Sequence, residues 1–112
     1  MKTPIAATNT DLANVLKRYF YSFLINQRRL SKHTVSAYRD TFKLFLPYVA
    51  GHHKKCISTL CFDDFSADIV ILFLQHLEDE RNNKVQTRNA RLTAIRSFLR
   101  FAITDKPDLM VN

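Results

Sequence analysis

Lys32, Ser36, Arg39 and Lys43 stand at i, i+4, i+7 and i+11, and Asn89, Thr93, Arg96 and Arg100 repeat that spacing further along the chain. On an α-helix this spacing gathers each set on one flank. Near the start of each row lie small polar or basic residues: Ser31, Lys32, His33, Thr34 and Ser36 in the first, Gln86, Thr87, Arg88 and Asn89 in the second. Such groups at a helix start serve phosphates and base edges alike, because the unpaired backbone N–H groups there also favour anions. The chemistry implied is recognition of duplex nucleic acid, whose major groove admits a helix. Lysine and arginine supply salt-dependent, sequence-independent affinity, and Gln86, Asn89 and the arginines are better suited to reading bases. A helical protein-interaction module with a basic face for an acidic partner would use the same rows, and it stands as the alternative.

Other reactive groups point nowhere as clearly. The segment HHKKCISTLC holds His52, His53, Cys56 and Cys61, but its spacing matches no familiar zinc pattern. Two reduced thiols and two solvated histidines are expected, with no metal and no cofactor. Tyr19, Tyr21, Tyr38 and Tyr48 are expected to be core or boundary aromatics.

The net charge of +7 is segregated. Residues 28–55 carry +6 and residues 84–106 carry +5, while residues 56–83 between them carry −5. Two basic blocks around an acidic one imply a directed surface, not mere solubility. The 112 residues, 46% hydrophobic with 9 Phe and 4 Tyr, form one domain with a real core and are not disordered. One Gly and 3 Pro leave too few turns for an all-β fold. Apolar runs long enough to span a bilayer and signal-peptide features are both lacking, so a cytoplasmic, nucleoid-associated protein with no membrane contact is expected.

Four helices account for the hydrophobic periodicity. Residues 1–10 read as a flexible lead-in. Thr10 or Asp11 caps a first helix reaching about Asn26, and Arg28 and Arg29 follow in a connector. Ser31 caps a second helix, Lys32 towards Ala50, with Val35, Tyr38, Phe42, Phe45, Leu46 and Val49 inward. Pro47 is expected to kink or end it near Leu46, with Gly51 as C-cap. A loop from His52 to about Phe65 leads to a third helix, Ala67 to about Arg81, capped by Ser66. Asn82–Asn83 is a turn. The fourth helix runs from Val85 to Ile103 with Leu92, Ile95, Phe98, Leu99 and Ala102 inward, in a role similar to that of the second.

The segment LSKHTVSAYRDTFKLFL resembles the second-helix signature of the core-binding domain of tyrosine recombinases, the phage-integrase family. DDFSADIVILFLQHLEDERNN resembles that domain's third helix, and TRNARLTAIRSFLRFA its last. The three motifs occur in the family's order, and the resemblance spans roughly Leu12–Ala102. It implies an all-α, SAM-like compact bundle of four crossed helices over residues 11–104. It also implies that residues 105–112 begin a linker to an absent C-terminal catalytic domain. Helices two and four would then lie against the major groove of a recombination half-site in double-stranded DNA. His33, Thr34, Ser36 and Ala37 match the family's DNA-facing positions on one helix, and Gln86, Thr87, Asn89 and Ala90 those on the other. Lys32, Arg39, Lys43, Arg88 and Arg96 join them on charge and face. The family works as a tetramer on DNA, whereas this chain alone is compatible with a monomer. The family's catalytic domain carries a His-x-x-Arg element, and no histidine here has Arg three residues on. The chain is therefore expected to bind DNA for integration and recombination without cutting it.

Overall fold

A computed structural model of the chain describes residues 12–26, 30–80 and 84–105. The first helix, α1 (residues 12–23), is α-helical to residue 18 and widens into a π turn at Tyr19–Phe23, where the Leu24 N–H donates to the Tyr19 carbonyl at 2.9 Å. Then come α2 (Lys32–His53), 3-10 turns at Ile57–Thr59 and Phe62–Asp64, α3 (Ala67–Glu80) and α4 (Val85–Asp105). No strand occurs among the described residues. The fold is all-α. The expected N-caps of α1, Arg28 and Arg29, the Asn82–Asn83 turn, residues 1–10 and the tail from residue 106 lie outside the described residues.

Local chemistry sets the helix starts. The Ser31 hydroxyl accepts from the Thr34 amide at 3.1 Å, and Ser66 accepts from the Ile69 amide at 3.2 Å, each satisfying a first-turn donor. The inward faces then close a single core. Ile69, Val70, Phe73, Leu74 and Leu77 of α3 are all buried, as are Ile95, Phe98 and Ala102 of α4. Phe98 is the hub. Its ring lies 5.3 Å from both Tyr19 and Phe42 and 6.1 Å from Phe62, so one side chain joins α4 to α1, α2 and the connecting loop. Phe45 makes a second junction, 5.2 Å from Phe65 and 5.0 Å from Phe73.

Three local expectations fail. Pro47 does not end α2, which continues to His53. Pro47 is exposed on the same flank as Lys43, whose carbonyl loses its helical partner there and faces water, while Phe45, Val49 and Ala50 clamp the helix from the core side. Gly51 is not the C-cap. The helix runs further, and Lys54 takes the left-handed conformation at φ 56°, with Lys55 donating to the Ala50 carbonyl at 2.9 Å. Tyr21 is 70% exposed, outside both core and boundary, whereas Tyr19 is buried and Tyr38 and Tyr48 half-buried.

The extra turn of α2 brings His53 and Lys55 to Asp64. Lys55 Nζ donates to both carboxylate oxygens at 3.0 and 2.8 Å, the Cys61 amide donates at 2.9 Å, and the Cys61 thiol lies 3.6 Å away. His53 Nε2 donates to the Asp64 carbonyl at 3.3 Å. Burial alone would raise the Asp64 pKa, but the hydrogen bonds from Lys55 and Cys61 outweigh it and hold the carboxyl below its ordinary value. Burial and the neighbouring carboxylate push the Cys61 thiol up, which suits a structural thiol more than a reactive one. With a lowered native pKa, the unfolded chain binds more protons in acid. The stabilisation is thus full above about 3.8, the ordinary carboxylate value, and is lost as pH falls through the native one. Thermal melts between pH 5 and pH 2 are expected to show a steeper acid loss for the parent than for Asp64→Asn.

Candidate nucleic-acid interface

The helices α2 and α4 cross near their starts. Arg91 Nη1, on α4, donates to the Ala37 carbonyl at 3.3 Å and to the Thr41 hydroxyl oxygen at 3.1 Å, both on α2. Ala37 stands six residues after the cap Ser31, and Arg91 six residues after Val85, the first residue of α4. The crossing is therefore about 9 Å along the axis from either start.

Rotation about each axis at roughly 100° per residue sorts the expected contact residues into two groups. His33, Thr34 and Ala37 on α2, with Thr87 and Arg88 on α4, border the crossing, and Ala90 is turned about 100° from Arg91. Lys32, Ser36, Arg39 and Lys43 are turned about 150° from the edge that meets Arg91, and Gln86, Asn89 and Arg96 are turned about as far from Arg91 itself. All seven of these turned-away residues are exposed. Lys32, Ser36 and Arg39 line a groove of 390 Å³ with Leu24, Ile25, Leu30 and Val35. Arg96 lines another of 650 Å³ with Thr93, Arg100, Tyr38, Phe23 and Phe101. Both grooves border the end of α1, one at Leu24 and Ile25 and the other at Phe23. The two basic flanks thus line different grooves, which meet the rest of the fold at the end of α1.

Some polar groups are already engaged. Ser31 and Thr34 bond each other as well as the cap, with their hydroxyl oxygens 3.2 Å apart. Arg88 is half-buried, its Nε 3.9 Å from Glu78 of α3 and its Nη2 3.4 Å from the Asn89 side-chain oxygen. It is turned towards the acidic end of α3. The buried Tyr19 hydroxyl donates to Ser97, which lines the larger groove, at 2.6 Å. Burial raises the Tyr19 pKa to about 12, against the smaller opposing effect of the Ser97 bond. A raised native pKa means stability is full below pH 10 and lost as pH rises from 10 towards 12. Denaturant midpoints over that range are expected to fall for the parent and to stay flatter for Tyr19→Phe.

Sequence reasoning missed Arg91. Its signal was present: Arg91, Ala94, Ile95, Phe98 and Ala102 share the buried helical stripe, so this arginine lies on the core side while Arg96 and Arg100 do not. The histidines and cysteines gather no group of three or more metal-ligating side chains among the described residues. Cys56 and Cys61 are free thiols.

Four helices with this order of motifs are matched by the family model for the phage integrase N-terminal SAM-like domain over residues 17–106. The chain belongs to that family. This integrase SAM-like domain is 39% identical over 100 residues to the putative integrase/recombinase y4rC of Sinorhizobium fredii, covering 89% of this chain and 30% of that protein. It is 36% identical to y4rD of the same organism, a putative integrase/recombinase, covering 86% of this chain and 34% of that protein. It is 31% identical to the tyrosine recombinase XerD of Oceanobacillus iheyensis, covering 78% and 28%. The chain spans about a third or less of the length of these curated relatives. No solved structure matches it significantly. Among its described residues no helix is long and apolar enough to cross a membrane.

Proposed function

We propose that this integrase SAM-like domain is the DNA-grasping part of a site-specific tyrosine recombinase, acting in the cytoplasm on duplex DNA. The starts of α2 and α4 enter or edge the major groove of a recombination half-site. His33, Thr34, Ser36, Ala37, Gln86, Thr87, Asn89 and Ala90 provide the surface that meets bases and sugar edges. Lys32, Arg39, Lys43 and Arg96 hold phosphates, with Arg88 a lesser contributor because Glu78 already shares its charge. The core-binding domain occupies residues 11–104, and strand cleavage belongs to a separate catalytic domain of the kind its relatives' names imply. The recombinase works as a tetramer on DNA.

The observation that carries this reading is the crossing of α2 and α4 within six residues of each start, at Ala37 and Arg91. It sets two positive helix poles side by side and leaves a basic strip on each flank. Titration with duplex DNA across a salt series tests it. The expected result is a log–log slope worth several phosphates, unchanged by an equal charge of acidic peptide as competitor. An affinity that ignores duplex length and is abolished by the acidic peptide would favour a protein partner. Relaxation of supercoiled DNA by this chain alone would contradict the assignment of cleavage to another domain.

A further inference from the structure

Arg91 is costly to keep where it is. Its Nε is buried with no hydrogen-bond partner, and no carboxylate pairs with it among the described ion pairs. A partly buried arginine with no carboxylate and an orphaned donor is destabilising in itself, and a well-packed apolar side chain would avoid the penalty. What it gains is a link across 54 residues of sequence, from α4 to the backbone of α2. Its acceptors form a triangle: Arg91 Nη1 reaches both the Ala37 carbonyl and Thr41 Oγ1, and the Thr41 hydroxyl donates to the same carbonyl at 3.0 Å. Thr41 is 1% exposed and its hydroxyl is the hinge of the triangle.

Resting on the DNA-grasping reading above, we propose that Arg91 is a positioning residue whose guanidinium, locked onto Ala37 and Thr41, sets the placement of the α2 start relative to the α4 start. Apolar contacts between Phe42 and Phe98 hold the helices together, but such contacts are non-directional and tolerate sliding. A planar guanidinium on a fixed carbonyl and hydroxyl does not tolerate it. Both helix starts lie about 9 Å from the lock, so a small rotation at the crossing displaces both recognition surfaces together.

Thr41 gives the decisive test because it is buried and uncharged, and so cannot touch DNA. Thr41→Val preserves shape and deletes the hydroxyl; Thr41→Ser deletes a methyl and keeps the hydroxyl. If the triangle positions the helix starts, the valine variant binds duplex DNA five-fold or more weakly at a temperature where circular dichroism shows it folded. The serine variant then binds within two-fold of the parent. Arg91→Lys, which keeps charge but loses the rigid guanidinium that holds Nη1 on both acceptors, weakens binding similarly with the salt slope unchanged. A packing role predicts the reverse order, serine worse than valine, and would overturn the proposal. So would a salt slope one charge shallower in Arg91→Met with Thr41→Val unaffected, since that pattern marks direct phosphate contact. If the parent binds no duplex at all, the functional reading fails instead. The positional claim is then read from the amide shifts of residues 32–37 and 85–90. Thr41→Val moves both sets if the lock is real and only the first if it is not.

Discussion

Phe98→Ala lowers the stability of the domain by about 3–5 kcal/mol, the range for deleting a fully buried phenylalanine ring. Phe98 is 0% exposed and touches the rings of Tyr19, Phe42 and Phe62, which belong to three different parts of the chain. The cavity cannot collapse easily, because each lining ring is held by others: Tyr19 by Phe101 and Phe20, Phe42 by Phe45. A domain of this size has only roughly 5–15 kcal/mol in total, so a large unfolded fraction near 37 °C is expected. Chemical denaturation monitored by circular dichroism checks it. Ile71→Ala, at a residue 55% exposed on α3, serves as the control and stays within about 0.5 kcal/mol of the parent. Equal losses in the two variants would mean that Phe98 is not the hub.

The second large effect is electrostatic. Lys32 and Arg96 are both exposed, on separate flanks, and border different grooves. If each holds one phosphate, the double variant Lys32→Ala/Arg96→Ala shortens the salt slope by about two. At 0.15 M salt, counterion release alone then makes binding weaker by roughly 30-fold. The single variants should each cost about five-fold and combine additively, since the residues share no partner. Charge removal at Asp79→Asn, on the acidic end of α3, leaves the slope unaltered. A double variant that binds like the parent would remove the flanks from the interface.

Most of the architecture was readable from short-range patterns. Ser31 and Ser66 cap where their hydroxyls fall three residues before a free amide, and the inward stripes of α3 and α4 follow from their 3.6-residue period. What escaped depends on partners distant in sequence. Pro47 reads locally as a helix breaker, and only the clamp of Phe45, Val49 and Ala50 on the core explains why α2 continues. Gly51 reads as a C-cap, yet the helix ends at Lys54, which lets His53 and Lys55 reach Asp64. The two basic rows are exposed as their spacing predicts, but the link between the helices that carry them depends on a contact 54 residues long in sequence. Arg91 is not among the contact residues expected from the sequence, although its register with Ile95 and Phe98 places it on the inward side.

The measurement that meets the central claim most directly is a map of backbone amide shifts as duplex DNA is added to the isotopically labelled chain. Shared recognition by two helix starts predicts that the perturbed amides concentrate in residues 31–43 and 85–96, both sets titrating with one apparent affinity and fading together as salt is raised. Perturbations centred on α3, confined to one of the two helices, or absent at low salt would contradict it.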